Sequence, residues 1–310
     1  MAETKLDQIL KRVDSMPPLP ATAMKVIEIA NDPNSSVSDM DKVITMDAVF
    51  SAKVLKMVNS AYFGLRDKIV STSRAIAHLG MNTVKNLVLC AVVVNKLTEN
   101  IRSGGFDMDG FWKHSIACSV ATRIIARRMN VTSYEVEDYA LAALMHDIGK
   151  LVFINFMKND YKNVTAYAIE QKVSFIAAER KILEPDTLMT VKIDESGAAV
   201  FGTVEKMLDH GYVGKHLAIK WNLPEIMVDV IAHHHFPGEC TDGYTKKAVH
   251  AVHVADIFCK ANGMGFCGDA FAPIIKDDTW RLLGMTQEEM NRLKPKWLQE
   301  IEEAKDFLKV

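Results

Sequence analysis

The chain has 310 residues, of which 49% are hydrophobic and 25% charged, and its formal net charge is −2. That length suffices for one large domain or two ordinary ones around a substantial core. The near-neutral balance excludes a general nucleic-acid or anionic-membrane binder, which needs a basic excess or stripe, but leaves room for a small acidic ligand held by local charges.

The five cysteines (Cys90, Cys118, Cys240, Cys259 and Cys267) are odd in number, and no two of them are separated by only two residues. This spacing argues against a disulfide framework or a thiolate zinc knuckle and for free thiols in a reducing compartment. Met1 to Asp14 carries charges throughout and lacks an apolar signal core. Leu87 to Val94, the longest strongly apolar stretch, is too short to span a bilayer. The protein is expected in the cytoplasm, with no membrane partner.

Apolar residues recur at helical spacing almost everywhere, and no convincing run alternates like a strand. Leu6, Ile9, Leu10 and Val13 open the pattern, followed by Met24, Val26 and Ile27. Asp32-Pro33, Gly64 and Gly80 punctuate it, and Asn82 is placed to cap a helix from Thr83 to Leu97. Asn59-Ser60 reads as a helix-ending turn held by local backbone hydrogen bonds. A polar break from Glu99 to Gly110 divides the chain into an N-terminal helical lobe, residues 1–105, and a second lobe, residues 106–310. The expected fold is all-α and two-lobed.

The second lobe opens with Asp109 as an expected cap for a helix carrying Trp112, His114, Ile116, Val120 and Ile124. A short loop at Thr132-Ser133 lets the next helix, Tyr134 to Ile148, return antiparallel and bring His146 toward His114. This helix ends in Leu144-Met-His-Asp-Ile-Gly-Lys150. His146 and Asp147 offer an imidazole nitrogen and a carboxylate oxygen side by side, a pair suited to a divalent cation. Lys150, four residues after His146, would share its helix face and could meet an anion beside that cation.

Further donors follow. His210 precedes Gly211 at a turn between helices, where it could either aim inward or simply face a helix dipole. Pro224 opens a helix that ends in His233, His234 and His235, and three successive imidazoles cannot face one point. Asp256 lies in an apolar helix, Ala248 to Phe258, where an unpartnered carboxylate is costly; a cation or His253 could be its partner. His114 alone reads more readily as a core histidine than as a ligand. Thr286 to Leu308 reads as one or two amphipathic helices that pack back on the body. His78 and His216 read as structural.

In order, these residues resemble the HD superfamily of metal-dependent phosphohydrolases: a His (His114), a later His-Asp pair (His146, Asp147) and a distal Asp (Asp256). The likeness narrows through Met16-Pro-Pro-Leu-Pro20, Asn31-Asp32-Pro33, Val58-Asn-Ser-Ala-Tyr-Phe-Gly64, Ala75-Ile-Ala-His-Leu-Gly80, Trp221-Asn-Leu-Pro224 and the His-His-Phe-Pro run. Together they resemble the HD-related output domain, HDOD, from about residue 16 to 300.

That resemblance implies a module of bacterial signal transduction with unidentified protein partners. It also implies metal ligands at His114, His146, Asp147, His210, His234, His235 and Asp256. The spacing from Ile231 to Pro237 in related proteins selects His234 and His235, leaving His233 spare. Two ions of the iron, manganese, cobalt or magnesium class are implied, bridged by Asp147, with Lys150 and Asp147 as the catalytic groups and a nucleotide or cyclic nucleotide as the ligand. A non-catalytic scaffold that retains the metal or ligand pocket is the competing expectation.

Two departures separate the chain from the cyclic-dinucleotide-cleaving HD-GYP branch. Thr245 follows Asp242-Gly243-Tyr244 where a proline would belong, and Gly110 stands where some members place an acidic ligand for a third metal. A trinuclear centre is therefore not expected. No receiver or DNA-binding module is legible, so an input signal is expected to arrive from another chain.

Overall fold

The computed structural model describes residues 4–99, 101, 106–183, 192–193, 199–200, 208–241, 243–265 and 271–304. Its N-terminal half is built from α1 (Lys5–Ser15), α2 (Ala21–Asn31), α3 (Val37–Thr45), α4 (Ala48–Val58), α5 (Thr72–Leu79) and α6 (Met81–Thr98). Thr4 and Asp7 form a capping box at the start of α1, as do Ser36 and Asp39 at α3, so each helix begins where side chains satisfy its first amides. Helix α6 starts at Met81 directly after Gly80, whose φ of +84° suits glycine. The expected Asn82 cap is therefore one turn position inside the helix.

Asn59 ends α4, and its side chain donates to the carbonyls of Leu55 and Ile69 at 2.8 and 2.7 Å and accepts from the Ile69 amide at 2.7 Å. The loop that follows is thus closed by the local bonds its sequence suggested. Tyr62 in that loop is covered by Arg123, whose guanidinium lies 3.8 Å from the ring centroid, donates to the Tyr62 carbonyl at 2.9 Å, and pairs with Glu137 at 2.8 Å. A buried cation is retained here because an aromatic face, a carbonyl and a carboxylate all receive it.

The second half contains α7 (Met108–Ala126), α8 (Ser133–Met145), α9 (Ile148–Phe156), α10 (Lys158–Gln171), α11 (Phe175–Leu183), α12 (His210–Lys220), α13 (Glu225–His233) and α14 (Lys246–Ala261). Three further helices close it: α15 (Asp277–Leu283), α16 (Gln287–Arg292) and α17 (Lys294–Ala304). A small antiparallel ladder, β1 (Lys192–Ile193) and β2 (Ala199–Val200), departs from the purely helical reading, with Lys192 opposite Val200 and Ile193 opposite Ala199. Two paired residues per strand leave the architecture all-α. The boundary expected between residues 105 and 106 falls between α6 and α7, where residues 100 and 102–105 lie outside the described set.

Helix α7 is the spine of this half. It packs against α8, α14 and α17, while α12 packs against α9 and α13. Asp107 caps α7 by accepting from the Gly110 amide at 2.8 Å, so the expected cap moves from Asp109, which lies in the first turn. Trp297 of α17 is fully buried and donates to the Ala117 carbonyl at 2.9 Å, pinning the C-terminal helices to the spine.

Among the described residues, Ser133–Phe156 is long and apolar enough to cross a membrane, yet 89% of its apolar window is buried inside the protein. Its hydrophobic residues contact neighbouring helices: Leu144, Leu151 and Phe153 are each at most 1% exposed. Each such side chain contributes roughly 1.5–3 kcal/mol by leaving water. The same stretch is broken at His146-Asp147, where α8 stops and α9 begins.

Candidate metal centre

The break between α8 and α9 turns the most polar pair of an apolar hairpin into the interior. Sequence spacing alone reads one helix running to Gly149. In the fold, His146 ends α8, Asp147 takes φ −99° and ψ 10°, and the Lys150 amide restarts the ladder on the Asp147 carbonyl at 2.9 Å. Gly149 permits this by packing: a Cβ there would lie 1.9 Å from the His210 carbonyl oxygen. Helices α9 and α12 therefore meet backbone to backbone beside the two candidate ligands.

All the predicted donors are brought together. His114 comes from α7, His146 and Asp147 from the break, His210 from the first turn of α12, His234 and His235 from the end of α13, and Asp256 from α14. They form two groups, His114–His146–Asp256 and Asp147–His210–His234–His235, and within each group the donor atoms lie within 4.8 Å of one another. His233 belongs to neither. Every donor except His235 is buried, and His235 is partly so.

Ring orientation follows from what each Nδ1 touches. That atom of His114 faces the Met264 carbonyl at 3.2 Å, that of His146 the Ala143 carbonyl at 2.6 Å, and that of His234 the Val230 and Ile231 carbonyls at 3.1 Å. The Nδ1 of His210 faces Glu179 Oε2 at 2.6 Å. These acceptors require the proton on Nδ1 and turn each Nε2 inward as a donor to a cation. His235 Nε2 lies 2.9 Å and His234 Nε2 3.4 Å from His210 Nε2. Imidazole lone pairs so close repel unless a proton or a cation lies between them. Among the described residues, neither His146 Nε2 nor Asp147 Oδ1 makes a well-aligned hydrogen bond, though each faces an oppositely charged or ring atom within 3.3 Å; burial makes this costly and a cation would relieve it.

Each carboxylate divides its oxygens. Asp256 Oδ1 lies 3.0 Å from His114 Nε2, and its Oδ2 accepts from Lys260 Nζ at 2.7 Å. Asp147 Oδ1 lies 3.2 Å from His210 Nε2 and 3.6 Å from His234 Nε2, while its Oδ2 accepts from Lys150 Nζ at 2.8 Å and sits 3.3 Å from His146 Nε2. Lys150 is thus not on a continuous helix face with His146. It reaches back across the break to the carboxylate, fully buried, with the Phe175 ring 5.0 Å away.

Burial opposes ionisation of Asp147, but the His146 ring and the Lys150 ammonium hold its carboxyl well below the ordinary range; Lys260 and His114 do the same for Asp256. Burial also disfavours a protonated His146 or His210, yet Asp147 lifts the first to about 10 and Glu179 the second to about 9. Burial dominates at His234, which is pushed down to about 4. His146 and His210 are thus biased toward the protonated form, and a cation bound at their Nε2 atoms would have to displace those protons.

Several contributors escaped sequence reasoning. Glu179 is fully buried against His210, and Lys260 is bound to Asp256; each signal was only a charge in a helix four or more residues from any motif. His253 bonds the His234 carbonyl at 2.7 Å and so supports the His-His turn, rather than pairing with Asp256. His210 begins a helix capped by Asp209, which removes the reading of a histidine at a helix C-terminus. Gly265, at φ +69°, sets its Cα so close to α7 that a Cβ would lie 2.3 Å from the Gly110 carbonyl. The residue expected to lack a third-metal carboxylate is thus backed by a packed turn. Thr245, at the position of the missing proline, donates to Asp229 at 2.5 Å.

The donor set is imidazole and carboxylate without thiolate, which fits a catalytic divalent cation and not a structural thiolate site. The HDOD domain family matches residues 16–193, more than half of the chain. A crystal structure of an HDOD domain protein with unknown function from Geobacter sulfurreducens has TM-score 0.70 at 20% identity and covers 97% of each chain. A Shewanella amazonensis SB2B structure named "Putative phosphohydrolase" has TM-score 0.67 at 20% identity, covering 98% of this chain and 99% of that one. One from Marinobacter aquaeolei VT8, named "Putative signal transduction protein", has TM-score 0.71 at 17% identity, covering 100% of this chain and 62% of that one. An uncharacterized protein from Treponema pallidum (strain Nichols) is 26% identical over 228 residues, and this chain spans 39% of its length. With its all-α fold and its family match over more than half of its length in agreement, the chain belongs to the HDOD family.

Proposed function

We propose that this protein is a bacterial signal-transduction output protein whose centre holds two divalent cations and hydrolyses a phosphate ester of a nucleotide or cyclic nucleotide. The observation that carries the reading is the inward convergence of Nε2 atoms from separate helices on two carboxylates, with the opposite ring nitrogens anchored. Asp147 would bridge, since its two oxygens face different donor groups. When bound, such ions supply Lewis acidity toward water and toward the phosphoryl group.

Charge supports an anionic ligand. Asp147, Asp256 and Glu179 face Lys150 and Lys260, one net negative charge; two divalent ions would turn this to three positive charges in a dry interior. A phosphate group is the natural counter-charge. Lys150 would exchange part of its bond to Asp147 for a phosphoryl oxygen. The neighbours named for phosphohydrolase and signal transduction are consistent with this reading.

The burial of the ligands favours a second reading, a signalling scaffold that retains the cation without turnover. Elemental analysis of protein purified without added metal, followed by a screen of nucleotides and cyclic dinucleotides, separates the two. Metal with hydrolysis supports the enzyme, metal without hydrolysis supports the scaffold, and unchanged metal content in Asp147→Ala removes the centre altogether.

A further inference from the structure

We infer that Glu179 is a positioning residue that makes the Asp147–His210–His234–His235 group the tighter of the two cation sites, so that it fills first. This rests on the proposed two-ion centre. The geometry distinguishes the two groups: the Nδ1 atoms of His114, His146 and His234 meet neutral backbone carbonyls, whereas that of His210 meets a carboxylate at 2.6 Å. A carboxylate acceptor draws the Nδ1 proton further than a carbonyl does and leaves Nε2 the stronger donor.

Glu179 is built for this contact. Its Oε2 accepts both the His210 ring N–H and the His210 backbone amide, the latter at 3.1 Å. The adjacent Arg180 holds Asp209 through Nε at 3.0 Å and Nη2 at 2.8 Å, and Asp209 Oδ1 in turn caps α12 at the Tyr212 amide, 2.9 Å away. Two successive residues of α11 thereby fix the position and the ring of one ligand. Among the described residues, the other oxygen of Glu179 is buried without a hydrogen-bond partner. A fully buried side chain that leaves one oxygen unsatisfied is a poor choice for packing alone. It is a sound choice for orienting an imidazole and raising its basicity.

The test is a titration of the metal-free full chain with Mn²⁺ alone, followed calorimetrically and by the loss of the free Mn²⁺ paramagnetic signal. Wild type is expected to bind in two steps. Glu179→Gln keeps an acceptor for both N–H groups and removes the charge, so its first step should weaken on the order of 10-fold; Glu179→Ala should lose on the order of 100-fold. His114→Ala should remove the weaker step and leave the tighter one. A Glu179→Gln titration superimposable on wild type, with wild-type circular dichroism and melting, overturns the inference while leaving the centre intact. Loss of the weaker step instead of the tighter one also overturns it. Wild type that takes up no Mn²⁺ removes both the inference and the two-ion centre.

Discussion

Gly149→Ala is the sharpest test of how the fold holds its ligands, because one methyl group would be placed against backbone. The added Cβ would lie 1.9 Å from the His210 carbonyl oxygen and 3.0 Å from the Gly214 amide nitrogen, against 3.4 Å or more for ordinary contact. Helices α9 and α12 must separate by about 1.5 Å, since neither atom can rotate away as a side chain would. Overpacking of this kind costs about 3 kcal/mol, and the better helix propensity of alanine returns about 1 kcal/mol. A net loss of about 2 kcal/mol lowers Tm by about 3 °C in a chain of this size.

The centre should suffer more than the fold. His210 Nε2 and Asp147 Oδ1 are 3.2 Å apart. Donors on one cation, at bonds of about 2.0–2.2 Å, are at most about 4 Å apart, so a displacement of that size along their line separates them beyond a shared ion. Metal content by elemental analysis and calorimetric melting, each beside Gly238→Ala, provide the assay; a Cβ at Gly238 would have no atom within 4 Å. If Gly149→Ala keeps wild-type metal content and melts with the Gly238→Ala control, the close approach of α9 and α12 does not position the ligands.

Asp138, whose carboxyl burial pushes up to about 6 despite the Asn86 amide bonded to it at 2.7 Å, should make wild type lose stability as pH rises. The folded protein binds this proton more tightly than the unfolded chain, so the stabilisation is complete below about 4 and gone above about 6, at most about 3 kcal/mol; denaturant melts of Asp138→Asn should lack that part of the slope. Lys150→Met should retain metal and lose at least about 100-fold in turnover if the ammonium meets the phosphoryl group; undiminished turnover would remove its catalytic role. Apparent Mn²⁺ affinity should rise with pH, because His146 and His210, held near 10 and 9, give up protons on binding. Calorimetry in buffers of different ionisation enthalpy should detect that release. Arg123→Met should cost about 1–3 kcal/mol by leaving the partly buried Glu137 and the Tyr62 carbonyl without their donor, read by denaturant unfolding.

The donors were legible in the sequence because their chemistry is discrete: a histidine or aspartate in an apolar helix stands out against its neighbours. Their order was legible through the motifs, whereas the sorting into His114–His146–Asp256 and Asp147–His210–His234–His235 is set by how the helices pack. What escaped was local backbone and the outer ring of contacts. The helix periodicity from Tyr134 onward runs through His146 without interruption, so nothing in composition marks the break; it is set by α12 pressing on Gly149 from residues sixty positions later. Glu179 and Lys260 look like ordinary solvated charges until tertiary packing buries them. Asp107 and Asp109 are both competent caps, and only the position of the Gly110 amide selects the first.

Asp256 pairs with a histidine 142 positions earlier in the chain. During synthesis, a growing polypeptide that already displays His114, His146 and Asp147 still cannot assemble the first cation cage until α14 has left the ribosome and folded onto α7. Under the proposed function, cation capture would favour only the finished form, adding RT ln(1 + [L]/Kd) to its stability once the chain is complete. Occupancy of the cage would therefore record completed folding, and scarcity of the ion would lengthen the time the newborn protein spends exposed to proteases.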